Sequence, residues 1–132
     1  MRGLALAAGL PEDRLPVVAV SDPFTPALYN DPQLTRRVRG VLEEWLGEDR
    51  VVGVKPVTGG EDFSEYGRTA EKVPLSIFWL GSVDPERVRE SKRTGKTLPS
   101  LHSSRYHPLP EPTIKTGVTA LSAAVMELAG RK

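Results

Sequence analysis

The residues best suited to chemistry fall in two short stretches about forty positions apart. The first is Gly59-Gly60-Glu61-Asp62-Phe63-Ser64. Adjacent glycines let the backbone take positive φ and pass close to another group. A turn of this kind presents free N–H groups to an anion or a carboxylate. Glu61 and Asp62 can act as metal ligands, as acid–base groups or as a helix cap. On the residues alone Asp62 as a cap is the stronger reading, since acids at a helix start also suit the helix dipole. The second stretch is Pro99-Ser100-Leu101-His102-Ser103-Ser104. Neutral imidazole is a good zinc ligand, and nearby serines can orient it. A lone loop histidine is nonetheless more often plain surface. His107 follows five residues later, and its spacing resembles a zinc pair only loosely.

Other chemistries are excluded. There is no cysteine, so disulfides, thiolate zinc sites and cysteine catalysis are absent. No G-x-S-x-G elbow, P-loop or dinucleotide fingerprint occurs. The formal net charge of +1 selects neither nucleic acid nor an anionic membrane. Arg36, Arg37, Arg39 and the basic 87–96 stretch read as solvated faces. No apolar run is long enough for a membrane span. Residues 1–10 make a poor signal peptide, interrupted by Gly3 and Gly9, and a cytoplasmic location is expected.

These stretches must be positioned by something. Residues 2–9 read as an alanine-rich helix stopped at Gly9. Residues 17–20, 50–54 and 75–80 read as strands, the last buried. Ser21-Asp22-Pro23-Phe24-Thr25-Pro26 cannot be regular structure and marks a boundary. Asp31-Pro32 starts a helix whose face is Leu34, Val38, Val41, Leu42, Trp45 and Leu46, ended by Gly47. Residues 83–97 read as a mobile polar loop with at most a helical turn. Pro108, Pro110 and Pro112 suggest an extended connector before a last helix capped by Thr113. That helix is expected to bury Val118, Leu121, Val125 and Leu128, with Gly117, Ala120 and Ala124 allowing close packing. Alternating helices and strands predict an α/β fold.

The ordered series Thr58 to Tyr66, Phe78 to Gly81, Pro99 to Tyr106 and Pro112 to Val118 resembles the C-terminal end of the M20 metallopeptidase and amidohydrolase family. The hippurate hydrolase or N-acyl-amino-acid amidohydrolase type is the nearest likeness. Ala27-Leu28-Tyr29-Asn30-Asp31 fits the re-entry from a lid domain. The resemblance implies that 1–25 are the remnant of a lid or dimerisation domain. It implies that 26–132 are the C-terminal part of a two- or three-layer catalytic domain carrying two divalent metals, usually zinc. His102 would be a metal ligand. Gly59 and Gly60 would line the substrate pocket, with Glu61 and Asp62 in support. No catalytic residue is expected in this chain, because the general base and most ligands of the family have no counterpart in it. The implied substrate is an N-acyl amino acid or a small peptide, and the chain is expected to be inactive alone. The alternative is a non-catalytic module that packs against a separate N-terminal chain or self-associates.

Overall fold

A computed structural model of the chain describes residues 1–20, 22 and 24–130. Ser21 and Pro23 of the predicted boundary lie outside the described residues. The elements are α1 (Arg2–Ala7), α2 (Pro32–Leu46), α3 (Pro85–Thr94) and α4 (Pro110–Ala129). Short 3-10 turns occupy Glu12–Arg14 and Glu48–Arg50, and a longer 3-10 helix runs Asp62–Arg68.

Helix α2 follows its sequence closely. Asp31 accepts the N–H of Leu34 at 2.7 Å, and Pro32 takes the first helical position, where the missing N–H costs nothing. Gly47 ends the helix at φ +100°, a conformation that L side chains rarely adopt. Val38 and Leu42 are buried against Ala120 and Ala124 of α4, with Leu34, Leu46 and Val51 packed at the margin. Each of the two large side chains contributes roughly 1.5–3 kcal/mol by burial. At the surface of this pair Arg37 Nε meets Glu127 Oε1 at 2.6 Å, and Arg37 Nη2 donates to the Glu127 carbonyl at 2.5 Å.

Helix α4 departs from expectation at both its start and its face. Pro110 and Pro112 lie inside its first turn, where proline lacks only N–H groups that would be unpaired anyway. Thr113 is therefore not the cap; Leu109 stands there, without a side-chain bond. The buried residues are Ala120, Ala123 and Ala124, while Val118, Leu121 and Val125 are each about 60% exposed. Small side chains let the two helix backbones approach, and the larger ones are left on the outer face.

The 83–97 stretch is not a loop. Asp84 accepts the N–H of Glu86 at 2.7 Å, Pro85 opens α3, and Gly95 closes it at φ +72°.

The α/β prediction is overturned. Among the described residues there is no strand, in the expected lid remnant or elsewhere, and the architecture is helical. The reason is that an extended conformation becomes a strand only when a neighbour completes its ladder. Residues 17–20 have no regular structure and are exposed, with Val17 96% accessible. Residues 75–80 form no ladder either, and the expected burial holds for Leu75 but not for Ile77, Phe78, Trp79 and Leu80, which are 37–63% exposed; their neighbour is a single turn of chain. Asp31 N–H donates to Leu75 O at 2.7 Å. The Asn30 carboxamide takes both backbone groups of Ile77, at 2.8 and 2.9 Å.

Candidate functional site

Gly59 and Gly60 do not form the positive-φ turn expected from sequence: neither glycine is in the left-handed region, and the segment they lie in is met by two others. Residues 51–60 run without regular structure, and Gly59 and Gly60 are exposed. The 3-10 helix follows at once. Its cap is Glu61, whose carboxylate accepts the Phe63 N–H at 3.2 Å. The sequence assigned that role to Asp62, which is instead exposed in the first turn. Ser64 is the buried polar residue of this region. Its hydroxyl lies 2.6 Å from the Glu61 carbonyl and 3.2 Å from the Pro26 carbonyl. One proton serves both acceptors, with Glu61 the closer. The third segment is residues 24–26. A Cβ on Gly60 would sit 3.5–3.6 Å from the Thr25 side chain, which is ordinary contact. The Arg68 guanidinium lies 5.3 Å above the Phe24 ring, a cation–π arrangement.

His102 stands on a pair of consecutive turns. The Ser103 N–H donates to Ser100 O at 3.1 Å, and the Tyr106 N–H to Ser103 O at 3.0 Å. Within the first turn only His102 has positive φ, at +64°. Positive φ at the third residue alone defines a type II turn, a place usually held by glycine or asparagine. A left-handed L residue costs about 1–2 kcal/mol, so the imidazole is exposed at a mildly strained apex. His107 lies apart from it. Arg87 Nη1 faces His107 Nε2 at 2.9 Å, and His107 Nδ1 faces the Arg105 carbonyl at 3.3 Å. Arginine can only donate, so Nε2 accepts and Nδ1 carries the proton. That pairing occupies both ring nitrogens. His107 is thus a structural link between α3 and the turn after His102.

Two hollows border these segments. A shallow one is lined by Val83, Arg87, Leu98, Pro99, Tyr106 and His107. A larger, open and mainly apolar one of about 390 Å³ lies between Ile77, Phe78 and Leu80 of the 75–80 segment, Gly117 and Leu121 of α4, and Phe63. Glu61 reaches its edge. Neither hollow contains His102, and among the described residues no hydrogen bond joins the His102 turn to Gly59 or Gly60. Glu71, elsewhere on the surface, has its carboxyl held below the usual range by hydrogen bonds to its own backbone and to Thr69.

Among the described residues no three His, Cys, Asp or Glu side chains gather into a group able to hold a metal ion. Zinc at a reactive centre takes three protein ligands and a water. The described residues therefore do not fit a metal centre, and His102 is at most a single donor. Among the same residues no helix is long and apolar enough to cross a membrane.

A family model described as peptidase family M20/M25/M40 matches residues 16–127. The chain belongs to this family of hydrolases, which is generally metal-dependent. A protein of Sinorhizobium fredii (strain NBRC 101917 / NGR234), named as the uncharacterized hydrolase y4tI, is 33% identical over 60 residues. Those residues are 46% of this chain and 14% of that relative, so the match spans about one seventh of the relative's length. No solved structure matches the chain.

The sequence singled out Ser64 in this stretch but missed its bond to Pro26, and it missed Thr25 and Pro26 as neighbours of the diglycine segment. A serine three residues after the capping acid was the available signal, because a hydroxyl there can reach back to the cap carbonyl.

Proposed function

We propose that this chain supplies part of the site of a hydrolase acting on an amide bond, with an N-acyl amino acid or a small peptide as substrate. Gly59 and Gly60 face the substrate's carboxylate end. Glu61 and Asp62 support that segment, Glu61 through its bond to the Phe63 N–H. His102 offers one donor to zinc. The match of residues 16–127 to the M20 family carries this reading. The left-handed apex at His102 supports it, since backbone outliers of this kind concentrate where chemistry demands them. With one such donor, the chain alone binds zinc weakly and does not turn over substrate.

The test uses the purified chain with zinc and N-acyl amino acids such as hippurate. The expected result is no stoichiometric zinc binding and no hydrolysis. Co-expression with a chain carrying the remaining metal donors and the general base of an M20 hydrolase should then give zinc-dependent hydrolysis. Tight zinc binding with turnover by the chain alone would overturn the dependence on a second chain. Failure of the pair on every N-acyl amino acid would overturn the amidohydrolase reading.

A second reading is favoured by one observation, the outward apolar face of α4 formed by Val118, Leu121 and Val125, each about 60% exposed. On this reading the chain is a non-catalytic module that uses the face to bind a separate chain or a second copy of itself, because large contiguous apolar patches mark interaction surfaces. Concentration-dependent self-association in size-exclusion chromatography would support it.

A further inference from the structure

The diglycine segment, which has no regular structure, has little of its own to hold it. A Cβ on Gly59 would meet nothing within 4 Å, and no backbone–backbone bond ties down Gly59 or Gly60 among the described residues. Two glycines in sequence lose more conformational freedom on ordering than any other pair. A segment that meets a substrate must still be fixed before the substrate arrives, because ordering it on binding costs affinity.

Three consecutive residues of the chain before α2 meet the diglycine segment and its helix. Phe24 lies beneath Arg68 at 5.3 Å. Thr25 packs on Gly60 through Cγ2 and Cβ, 3.5 and 3.6 Å from where a Cβ would stand. Pro26 O accepts from the buried Ser64 hydroxyl at 3.2 Å. These contacts span the 3-10 helix from the residue before its cap to its last residue. Sequence alone marks this segment as a spacer between structural units, and a spacer has no reason to make side-chain, backbone and aromatic contacts with one element.

We propose that residues 24–26 form a clasp on the diglycine segment, with Thr25 and Ser64 as positioning residues for Gly60. Motion of the chain preceding α2 is then transmitted to the substrate-facing segment through Thr25. The functional consequence rests on the hydrolase reading given above; the clasp itself does not.

The chain has no cysteine, which makes cross-linking clean. The Thr25 Cβ lies 3.6 Å from the position of a Gly60 Cβ, inside the disulfide range of about 3.5–4.5 Å. The double variant Thr25→Cys/Gly60→Cys should oxidise to an intramolecular disulfide, seen as a two-dalton loss in the intact mass. Thr25→Cys/Gly59→Cys should remain reduced under the same conditions. Equal oxidation of both pairs, or of neither, overturns the clasp. Positioning is read separately from ¹⁵N relaxation. Gly60 should show an order parameter near the rigid value of about 0.85, Thr25→Gly should lower it below about 0.6, and Thr25→Val should restore it. Circular dichroism should be unchanged in both variants. A Gly60 already mobile in the parent chain, or indifferent to Thr25→Gly, overturns the proposal while leaving the hydrolase reading intact. Failed hydrolysis by the co-expressed pair carrying the parent Gly60, with the cross-link of the double variant formed as expected, does the reverse.

Discussion

The side chain of Asn30 takes the place of a neighbouring strand for Ile77. Its amide nitrogen donates to the Ile77 carbonyl at 2.8 Å, and its oxygen accepts the Ile77 N–H at 2.9 Å. One residue on, Asp31 gives its N–H to Leu75 O at 2.7 Å and its carboxylate to the first turn of α2. Two adjacent residues, one through its side chain and one through its backbone N–H, thus join residues 75–77 to the helix that packs on α4.

Asn30→Ala removes both bonds to Ile77. At about 0.5–1.5 kcal/mol for each, the variant should lose about 1–3 kcal/mol in urea unfolding. Asn30→Asp should not rescue it. A carboxylate can accept the Ile77 N–H but has no proton for the Ile77 carbonyl, and the two oxygens repel. Parent-like stability in either variant would show that the carboxamide does not hold the segment.

Local chemistry was legible in the sequence, and long-range choice was not. Asp31, Pro32 and Gly47 specify α2 by rules that act within a few residues. Asp84, Pro85 and Gly95 carry the same punctuation for α3, but a polar helix shows no apolar stripe and so reads as a loop. Residues 75–80 read as a buried strand from their apolar run, but whether such a segment pairs and is covered depends on groups far away in sequence, and here it is neither paired nor mostly buried. In α4 the apolar stripe and the small-residue stripe are both present, and periodicity cannot say which one faces α2. At the site, the glycines and His102 stand out by residue type. The left-handed backbone at His102 does not, because a histidine in that conformation looks like any other histidine in a sequence.

The choice of face in α4 gives a direct test. Ala120 is 1% exposed between α2 and α4, whereas Leu121 is 61% exposed. Ala120→Leu should force the helices apart and cost about 1–3 kcal/mol by overpacking. Leu121→Ala should change the chain's thermal unfolding by less than about 0.5 kcal/mol, as surface substitutions do. The reverse order of effects would restore the stripe expected from sequence.

Gly117 separates helix propensity from packing. A Cβ there would come 3.0 Å from Leu80 Cδ2, the end of a flexible and partly exposed side chain. Leu80 can yield by a rotamer shift, and alanine gains up to about 1 kcal/mol over glycine within a helix. Gly117→Ala should therefore be neutral to stabilising in chemical denaturation. Gly117→Val adds branched bulk against Leu80 and gives up most of the propensity gain, so it should fall below the parent chain.

On the proposed hydrolase reading, His102 sets stability against chemistry at one position. At φ +64° a side chain costs about 1–2 kcal/mol that glycine avoids, although glycine returns part of it through a freer unfolded chain. His102→Gly should leave the chain equally stable or more stable by up to about 1 kcal/mol in urea unfolding. His102→Ala keeps the strain and should show no such gain. In a reconstituted hydrolase both substitutions remove the imidazole donor, so both should abolish zinc-dependent turnover. A residue whose replacement improves folding while destroying activity is held by function and not by packing, and the comparison of glycine with alanine isolates that difference at a single backbone position.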